Sequence, residues 1–110
     1  MTYRNQGIYS VIADPHRRQI IDMLARGDKS AGEIAQQFEI SRPAIVKHLR
    51  VLEEHGLVEI QQVGRERKHH LTPTPLREVH DWLNRYETFW KGRLQSLKHI
   101  VESKSSDREE

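Results

Sequence analysis

The segment SRPAIVKHLRVLEEHGLV, residues 41–58, places cations and small side chains ahead of two acidic residues. Arg42, Lys47 and Arg50 carry donors that can reach phosphate oxygens or guanine acceptors in a major groove. Ser41 and Ala44 are small enough to let a base edge approach closely, and the glutamates come only at the far end. This order of residue types is typical of a helix that presents its first half to DNA.

The same segment separates into two faces when it is drawn as a helix at about 100° per residue. Ile45, Leu49 and Leu52 gather on one side, whereas Pro43 and Lys47 fall on the other. The N-terminus of a helix also has free N–H groups and a partial positive charge, which favour phosphate. We therefore predict a buried apolar face and an exposed cationic face.

A second group of cations follows at the tip of a predicted β-hairpin. Arg65, Arg67 and Lys68 are opposed there only by Glu66. Cations at such a tip can contact the DNA backbone or the minor groove beside a recognition helix. Either group alone fits an ordinary solvated surface, but the two together, in this order, favour DNA binding.

Other chemistries find little support in the 110 residues. The chain has no cysteine, so disulfides, thiolate metal ligands and a cysteine nucleophile are excluded. It has seven histidines, but we see no three or four donors that converge, and we predict no metal site and no cofactor. No nucleophile with a recognisable base, glycine-rich phosphate loop or paired-carboxylate cleft is evident, so we predict that the chain is not an enzyme.

Helix signals explain how the cationic segment would be positioned. Asp14-Pro15 predicts the start of a helix that ends at Gly27, and a shorter helix over residues 4–12 precedes it. Ser30 with Glu33 forms a capping box for the next helix. Ser41 then caps the cationic helix, so two short helices are joined by a tight turn, as in a helix-turn-helix.

The pattern after Gly56 predicts a hairpin and then one long helix. Residues 57–63 and 68–71 are typical of strands, which gives a wing over residues 58–71. Apolar residues then recur in steps of three and four from Pro75 to about Ser103. The predicted fold is mainly α with a small β-hairpin (α+β), a winged helix-turn-helix with a long C-terminal dimerisation helix. We expect one domain over residues 1–103 and a polar, disordered tail over residues 104–110.

Composition agrees with a small domain that is partly disordered or that shares its core with a second subunit. Hydrophobic residues make up 35% of the chain and charged residues 31%, and the formal net charge is only +2. That is a lean apolar content for a globular domain, while the long helix has more apolar positions than one face needs. No stretch is apolar enough for a membrane span or a signal peptide, so we expect a cytoplasmic protein.

The chain resembles the ArsR-type winged helix-turn-helix regulators of bacteria. The matching pieces are IADPHRRQIIDML, SAGEIAQQFEISRPAIVKHLRVLEEHGLV and GRERKHHLTPTPLREVHDWL, in the order and spacing of the family over about residues 8–103. The resemblance implies a homodimeric transcription factor, usually a repressor, that binds palindromic operator DNA and dimerises through its first and last helices. Its recognition helix would be residues 41–55.

Two sets of site residues follow from the residue pattern and the resemblance together. The DNA-binding set is Ser41, Arg42, Pro43, Ala44, Lys47, His48, Arg50, Arg65, Arg67 and Lys68. The dimerisation set is Ile8, Leu83, Tyr86, Trp90, Leu94 and Leu97. One residue departs from the family: many relatives have serine or threonine where this chain has Val46, so an operator sequence cannot be transferred from them.

The resemblance leaves the signal that controls such a regulator open. Many relatives bind metals through cysteines in the helix before the recognition helix, and SAGEIAQQF has none. Others use Asp and His on the last helix; His99 and Glu102 match the end of that pattern, but Thr88 stands where the upstream His would lie. Alternatives are a metal-responsive repressor with His ligands, an activator, an aromatic-lined pocket for an apolar effector, and a winged-helix protein-interaction module without DNA readout.

Overall fold

The computed structural model describes the backbone of residues 7–109 and the side chains of residues 7–93 and 97–101. Helices and strands follow in the order α1 Gly7–Ala13, α2 Pro15–Ala25, α3 Ala31–Ala35, α4 Arg42–Glu54, β1 Val58–Val63, β2 Glu66–Leu71, α5 Arg77–Asn84 and α6 Glu87–Glu109. A short 3-10 turn, Thr74–Leu76, leads into α5. Residues 4–6 of the predicted first helix lie outside the described residues, and its remainder is α1.

The predicted caps set the starts of three helices. Oδ1 of Asp14 accepts hydrogen bonds from the backbone N–H groups of His16 and Arg17, at 2.8 and 3.2 Å. Ser30 and Glu33 form a reciprocal capping box at the start of α3. Ser41 Oγ accepts from the N–H of Ala44 at 3.3 Å. These contacts satisfy N–H groups that have no partner inside the helix, so each helix begins where its polar residue stands.

The core lies between α1, α2, α3 and α4 and is closed by the first strand. Its apolar side chains are Ile8, Val11, Ile20, Ile21, Leu24, Ile34, Ile45, Leu49, Leu52, Leu57 and Val58, which are 0–9% exposed. The face of α4 predicted to be buried is among them. Gly56 follows α4 with a φ of 75°, a left-handed conformation that glycine adopts without steric cost. The chain can therefore turn directly from α4 into β1.

Strands β1 and β2 form an antiparallel hairpin, which we call the wing. The register pairs Val58 with Leu71 and Val63 with Glu66, so the turn is Gly64 and Arg65. Gly64 has a φ of 64°, as a tight hairpin turn requires. At its base, the N–H of His69 donates to the carbonyl of Lys29 at 2.7 Å and the reverse bond is 3.2 Å long. The loop after α2 thus fixes the base of the wing and leaves its tip exposed.

The prediction of one continuous helix from Pro75 to about Ser103 was wrong. The helix is interrupted at residues 85 and 86, and α6 continues to Glu109. At the interruption the N–H groups of Arg85 and Tyr86 donate to the carbonyls three residues earlier, at 3.1 and 3.0 Å, which tightens the last turn of α5. Apolar spacing could not show this break, because the same periodicity resumes two residues later. The domain limit at residue 103 and the tail over residues 104–110 stay predictions.

Two compact units make up the chain, Met1–Glu78 and Val79–Glu110. The first contains the helix-turn-helix, the wing and all of the core described above. In the second, Val79 is half-buried and the other described side chains are exposed. Among the described residues, no helix has the length and apolar character that a membrane crossing requires.

Candidate nucleic-acid interface

Helix α4 presents a cationic face to solvent because its apolar stripe is anchored in the core. Ile45, Leu49 and Leu52 are at most 3% exposed. Outside this stripe, the exposed residues in the first part of α4 and at its cap are Ser41, Arg42, Pro43, Val46, Lys47 and Arg50, and all but Val46 belong to the predicted DNA-binding set. Ala44 is half-buried. The described geometry therefore leaves three cations of α4 accessible to a ligand.

Arg42 lies over the start of α3. A Cβ atom at Gly32 would lie 3.7 Å from Nη1 of Arg42, which is ordinary van der Waals distance. The guanidinium group of Arg42 thus lies in the angle between the two helices of the helix-turn-helix.

The wing divides its cations into two kinds. Arg65 and Arg67 are exposed at the tip, and no ion pair of theirs is described. Nζ of Lys68 instead lies 2.7 Å from Oε1 of Glu33 and 3.2 Å from Oε2 of Glu66. Lys68 was predicted as a DNA contact. The structure gives it two carboxylates inside the protein, and its contact with DNA stays a prediction.

Glu33 joins the wing to α3 through this ion pair. The bond from Lys68, then the N–H and hydroxyl of Ser30, lower the pKa of Glu33 from 4.5 to about 2. Bonds from Glu33 and Glu66 raise the pKa of Lys68 in return. The carboxylate of Glu33 is exposed, so water and salt screen the pair and its contribution to stability is small. The pair connects β2 of the wing to α3.

An open groove of about 620 Å³ runs between α4 and the wing. Arginines reach it from both sides, Arg42 and Arg50 from α4 and Arg65 and Arg67 from the wing. Two acidic residues, Glu53 and Glu66, also border it. The local balance is positive by two charges, four arginines against two glutamates. Such a groove suits a polyanionic strand with a phosphate backbone.

A polar cluster that sequence reasoning missed lies between the start of α2 and α4. Asp14, His16 and His48 each direct a ligand-type atom to one place, and these atoms lie within 4.8 Å of one another. The rings of His16 and His48 are 5.5 Å apart, and His16 also packs edge-on against Phe38 at 5.8 Å. His48 was predicted to contact DNA; its half-buried ring is occupied by these contacts, and its role in binding stays a prediction.

The contacts of Arg17 indicate the role of this cluster. Its Nη1 lies 3.3 Å from Nδ1 of His48 and 3.9 Å from Oδ2 of Asp14. Its Nε and Nη2 donate to the carbonyls of Val11 and Ser10, at 2.7 and 3.1 Å. A guanidinium fixed beside these ligand atoms repels a divalent cation, so the geometry favours an internal network that joins α1, α2 and α4 over a metal centre.

The charge state of this network follows from its contacts. Desolvation raises the pKa of Asp14, but bonds from the N–H groups of Arg17 and His16 outweigh it, and the net shift is downward. Burial lowers the pKa of His48, against an opposing effect of the Asp14 carboxylate. A neutral His48 can accept a hydrogen bond from Arg17, whereas a protonated one cannot.

The predicted dimerisation residues differ in exposure. Leu83, Tyr86, Trp90 and Leu97 are 42–58% exposed. Ile8 is only 6% exposed, because it packs in the core of its own protomer, and its part in a dimer stays a prediction. The side chain of Leu94 lies outside the described residues.

Comparisons with known proteins agree with this geometry. The family model of bacterial regulatory proteins of the arsR family matches residues 14–59. HTH-type transcriptional regulator Rv2034 of Mycobacterium tuberculosis is 35% identical over 107 residues, which cover 96% of this chain and 97% of that protein. The chain belongs to the ArsR family. The predicted resemblance is confirmed.

Further relatives of this ArsR-family protein confirm its fold and class. Transcriptional repressor SdpR of Bacillus subtilis is 36% identical over 76 residues, covering 69% of this chain and 84% of that protein. The structure of an ArsR-like transcriptional regulator from Rhodococcus superposes with a TM-score of 0.64 at 35% identity, over 84% of this chain and 88% of that one. The winged-helix architecture is confirmed, and so is the prediction of a transcriptional regulator and not an enzyme.

Proposed function

We propose that this ArsR-family protein is a homodimeric repressor that binds a palindromic operator in double-stranded DNA, in the cytoplasm. The observation that carries the proposal is the groove between α4 and the wing, which four arginines line. A protein-interaction surface would have few reasons to gather arginines from two elements, because like charges there repel one another unless an anion binds.

Helix α4 is the part that would read the sequence. Its exposed side offers Lys47 and Arg42 to base edges and phosphates, and the positive end of its dipole favours a phosphate at its start. Glu53 and Glu54 stand at the end of α4, where a helix inserted by its first half leaves the groove. The exposed tip of the wing would hold the adjacent phosphates through Arg65 and Arg67.

A dimer gives the operator its symmetry. The exposed aromatic and aliphatic side chains of α5 and α6 support pairing of two chains, since large exposed apolar patches mark interaction surfaces. Two copies of α4 then meet two half-sites, about 34–36 Å apart in successive major grooves. Repression follows when the bound dimer covers a promoter, and SdpR, a relative, is named a repressor.

The experiment that tests the proposal is selection of genomic DNA fragments by the purified protein, followed by affinity measurements on the selected site. We expect a palindrome, and affinity that falls steeply as salt rises because phosphate contacts release counterions. Replacing Lys47→Ala together with Arg42→Ala should weaken specific binding about 100-fold, since each base contact contributes about 1–3 kcal/mol.

The control is Arg26→Ala, which removes one exposed cation at the end of α2, away from the groove. It should leave operator affinity nearly unchanged. Both variants should keep the wild-type circular dichroism spectrum and oligomeric state. Unchanged operator affinity in the Lys47 and Arg42 double variant would show that α4 is not the recognition helix. A protein that enriches no fragment at low salt would instead support an interaction module.

A further inference from the structure

One aliphatic side chain of α4 has no place in the core. Val46 is 39% exposed, whereas Ile45, Leu49 and Leu52 are 0–3% exposed. Valine also propagates a helix less well than alanine or lysine, because its branched side chain loses freedom against the preceding turn. Neither burial nor helix propensity therefore favours valine at this position. A contact that the side chain makes only in a complex with DNA would favour valine there.

Val46 stands in a row with two arginines. Arg42 precedes it and Arg50 follows it by four residues, so the three side chains share one side of α4, and all three line the groove beside the wing. Successive members of the row are about 6 Å apart along the helix axis. Base pairs are stacked about 3.4 Å apart, so neighbouring members would meet positions roughly two base pairs apart.

We propose that Val46 is a specificity-determining residue that packs against the 5-methyl group of one thymine in each half-site. The inference rests on the proposed function, because it requires α4 to enter a major groove. Thymine is the base that presents a methyl group there. Against any other base, the two methyl groups of valine would cover a polar atom without offering it a hydrogen bond, and that atom would lose its water uncompensated.

The flanking arginines sharpen this selection. Arg42 and Arg50 can donate to guanine acceptors or to phosphates on either side, which fixes how far α4 can slide along the groove. A valine between them then meets one defined base pair. A serine or threonine at this position could hydrogen-bond to several bases, whereas the methyl groups of valine suit only thymine. The row therefore predicts a thymine at one fixed position of the half-site.

The test replaces thymine by uracil, which removes only the methyl group. The substrate is an operator duplex selected from random DNA by the wild-type protein, with uracil placed at each thymine in turn. One replacement in one half-site should weaken wild-type binding about fourfold, which corresponds to about 0.8 kcal/mol for one methyl group leaving an apolar contact. Replacement in both half-sites should weaken it about fifteenfold.

Two variants assign the effect to Val46. Val46→Ala shortens the side chain and should bind the thymine and uracil duplexes with nearly equal affinity; alanine favours the helix, so α4 should remain folded. Val63→Ala is the matched control, because Val63 is an equally apolar side chain, 56% exposed, at the end of β1 in the wing. It should keep the wild-type ratio, since the thymine methyl lies in the major groove and the wing is placed for the backbone or the minor groove.

The outcomes separate this inference from the proposed function. If the wild type selects an operator but no uracil replacement changes its affinity by more than about 1.5-fold, the contact is overturned and DNA binding stands. The same conclusion follows if Val46→Ala keeps the wild-type ratio. A wild-type protein that binds no duplex would overturn the proposed function and this contact together.

Discussion

The two compact units of the chain differ in whether their apolar side chains are buried or exposed. Every buried apolar side chain among the described residues belongs to Met1–Glu78. In Val79–Glu110, the large side chains Trp82, Tyr86, Phe89 and Trp90 are 42–54% exposed. The first unit folds around its own core, whereas the second presents a surface that water does not favour. The contrast indicates that one unit is complete and the other is half of an interface.

The two units also differ in what their charged side chains contact. The first unit directs arginines from α4 and the wing into one groove. In the second unit, the guanidinium of Arg93 lies 4.8 Å from the ring centre of Phe89, and Nζ of Lys91 is 3.4 Å from Oε1 of Glu87. In both of these contacts the charged side chain interacts with a residue four positions away on α6. These differences support the proposal that the first unit contacts DNA and that the second pairs two chains.

The largest effect should come from putting charge on the apolar surface of the second unit. Trp90 and Leu97 are seven residues apart and lie within about 20° of each other around α6. Trp90→Glu with Leu97→Glu should dissociate the dimer by about 1,000-fold or more, since each lost anchor costs about 2 kcal/mol. Operator affinity should fall with it, because the half-sites are then bound separately. Light scattering and fluorescence anisotropy measure the two effects.

The matched control for this variant is Thr88→Glu. Thr88 lies two residues from Trp90, about 200° around the helix, and a glutamate is favourable in the first turn of α6. Its dimer and its operator affinity should be those of the wild type. A double variant that remains as dimeric as the control would show that the aromatic surface of α6 serves another purpose.

A smaller effect should distinguish the cations of the wing. Arg65→Ala with Arg67→Ala should lower the salt dependence of binding by about two phosphate contacts, or about 1.8 in the slope of log affinity against log salt. Lys68→Ala should change that slope less, because Glu33 and Glu66 already hold its ammonium group. Anisotropy titrations at several salt concentrations give the slopes. A fall of about 0.9 in the slope for Lys68→Ala, one full phosphate contact, would mean that Lys68 leaves its carboxylates to bind DNA.

The smallest effect concerns pH and should reside in the first unit. Burial lowers the pKa of His48 below its ordinary value of 6.5. The unfolded chain then binds this proton at a higher pH than the folded chain, so stability is complete above about pH 6.5 and declines as pH falls toward the lower folded value. His48→Asn should flatten this part of the profile in urea denaturation. A wild-type slope retained by the variant would assign the effect to another group.

Local signals in the sequence predicted the first unit well. Asp14, Ser30 and Ser41 each cap the helix that they were expected to start, because a capping bond depends on residues two or three positions away. The buried face of α4 and the hairpin also lie where periodicity placed them. Such features are set by neighbours in the chain, so a single sequence contains them.

Contacts between distant segments were beyond the sequence. The ion pair of Lys68 with Glu33 joins residues 35 positions apart, and the contact of Arg17 with His48 spans 31. No spacing rule links such positions. The break after Asn84 was missed for another reason: a helix can stop and resume without disturbing the apolar order. The sequence therefore predicted the cations of the candidate interface, but it could not show which of them are paired with carboxylates inside the protein.

The most direct test of the different roles of the two units is the stoichiometry of the wild-type protein on its selected operator. Sedimentation of the free chain, whose mass is 13.0 kDa, and of the chain bound to a labelled duplex gives the number of chains in each state. We expect two chains in both states, one pair on each palindromic duplex. A single chain in solution that also binds the duplex singly and at full affinity would contradict it.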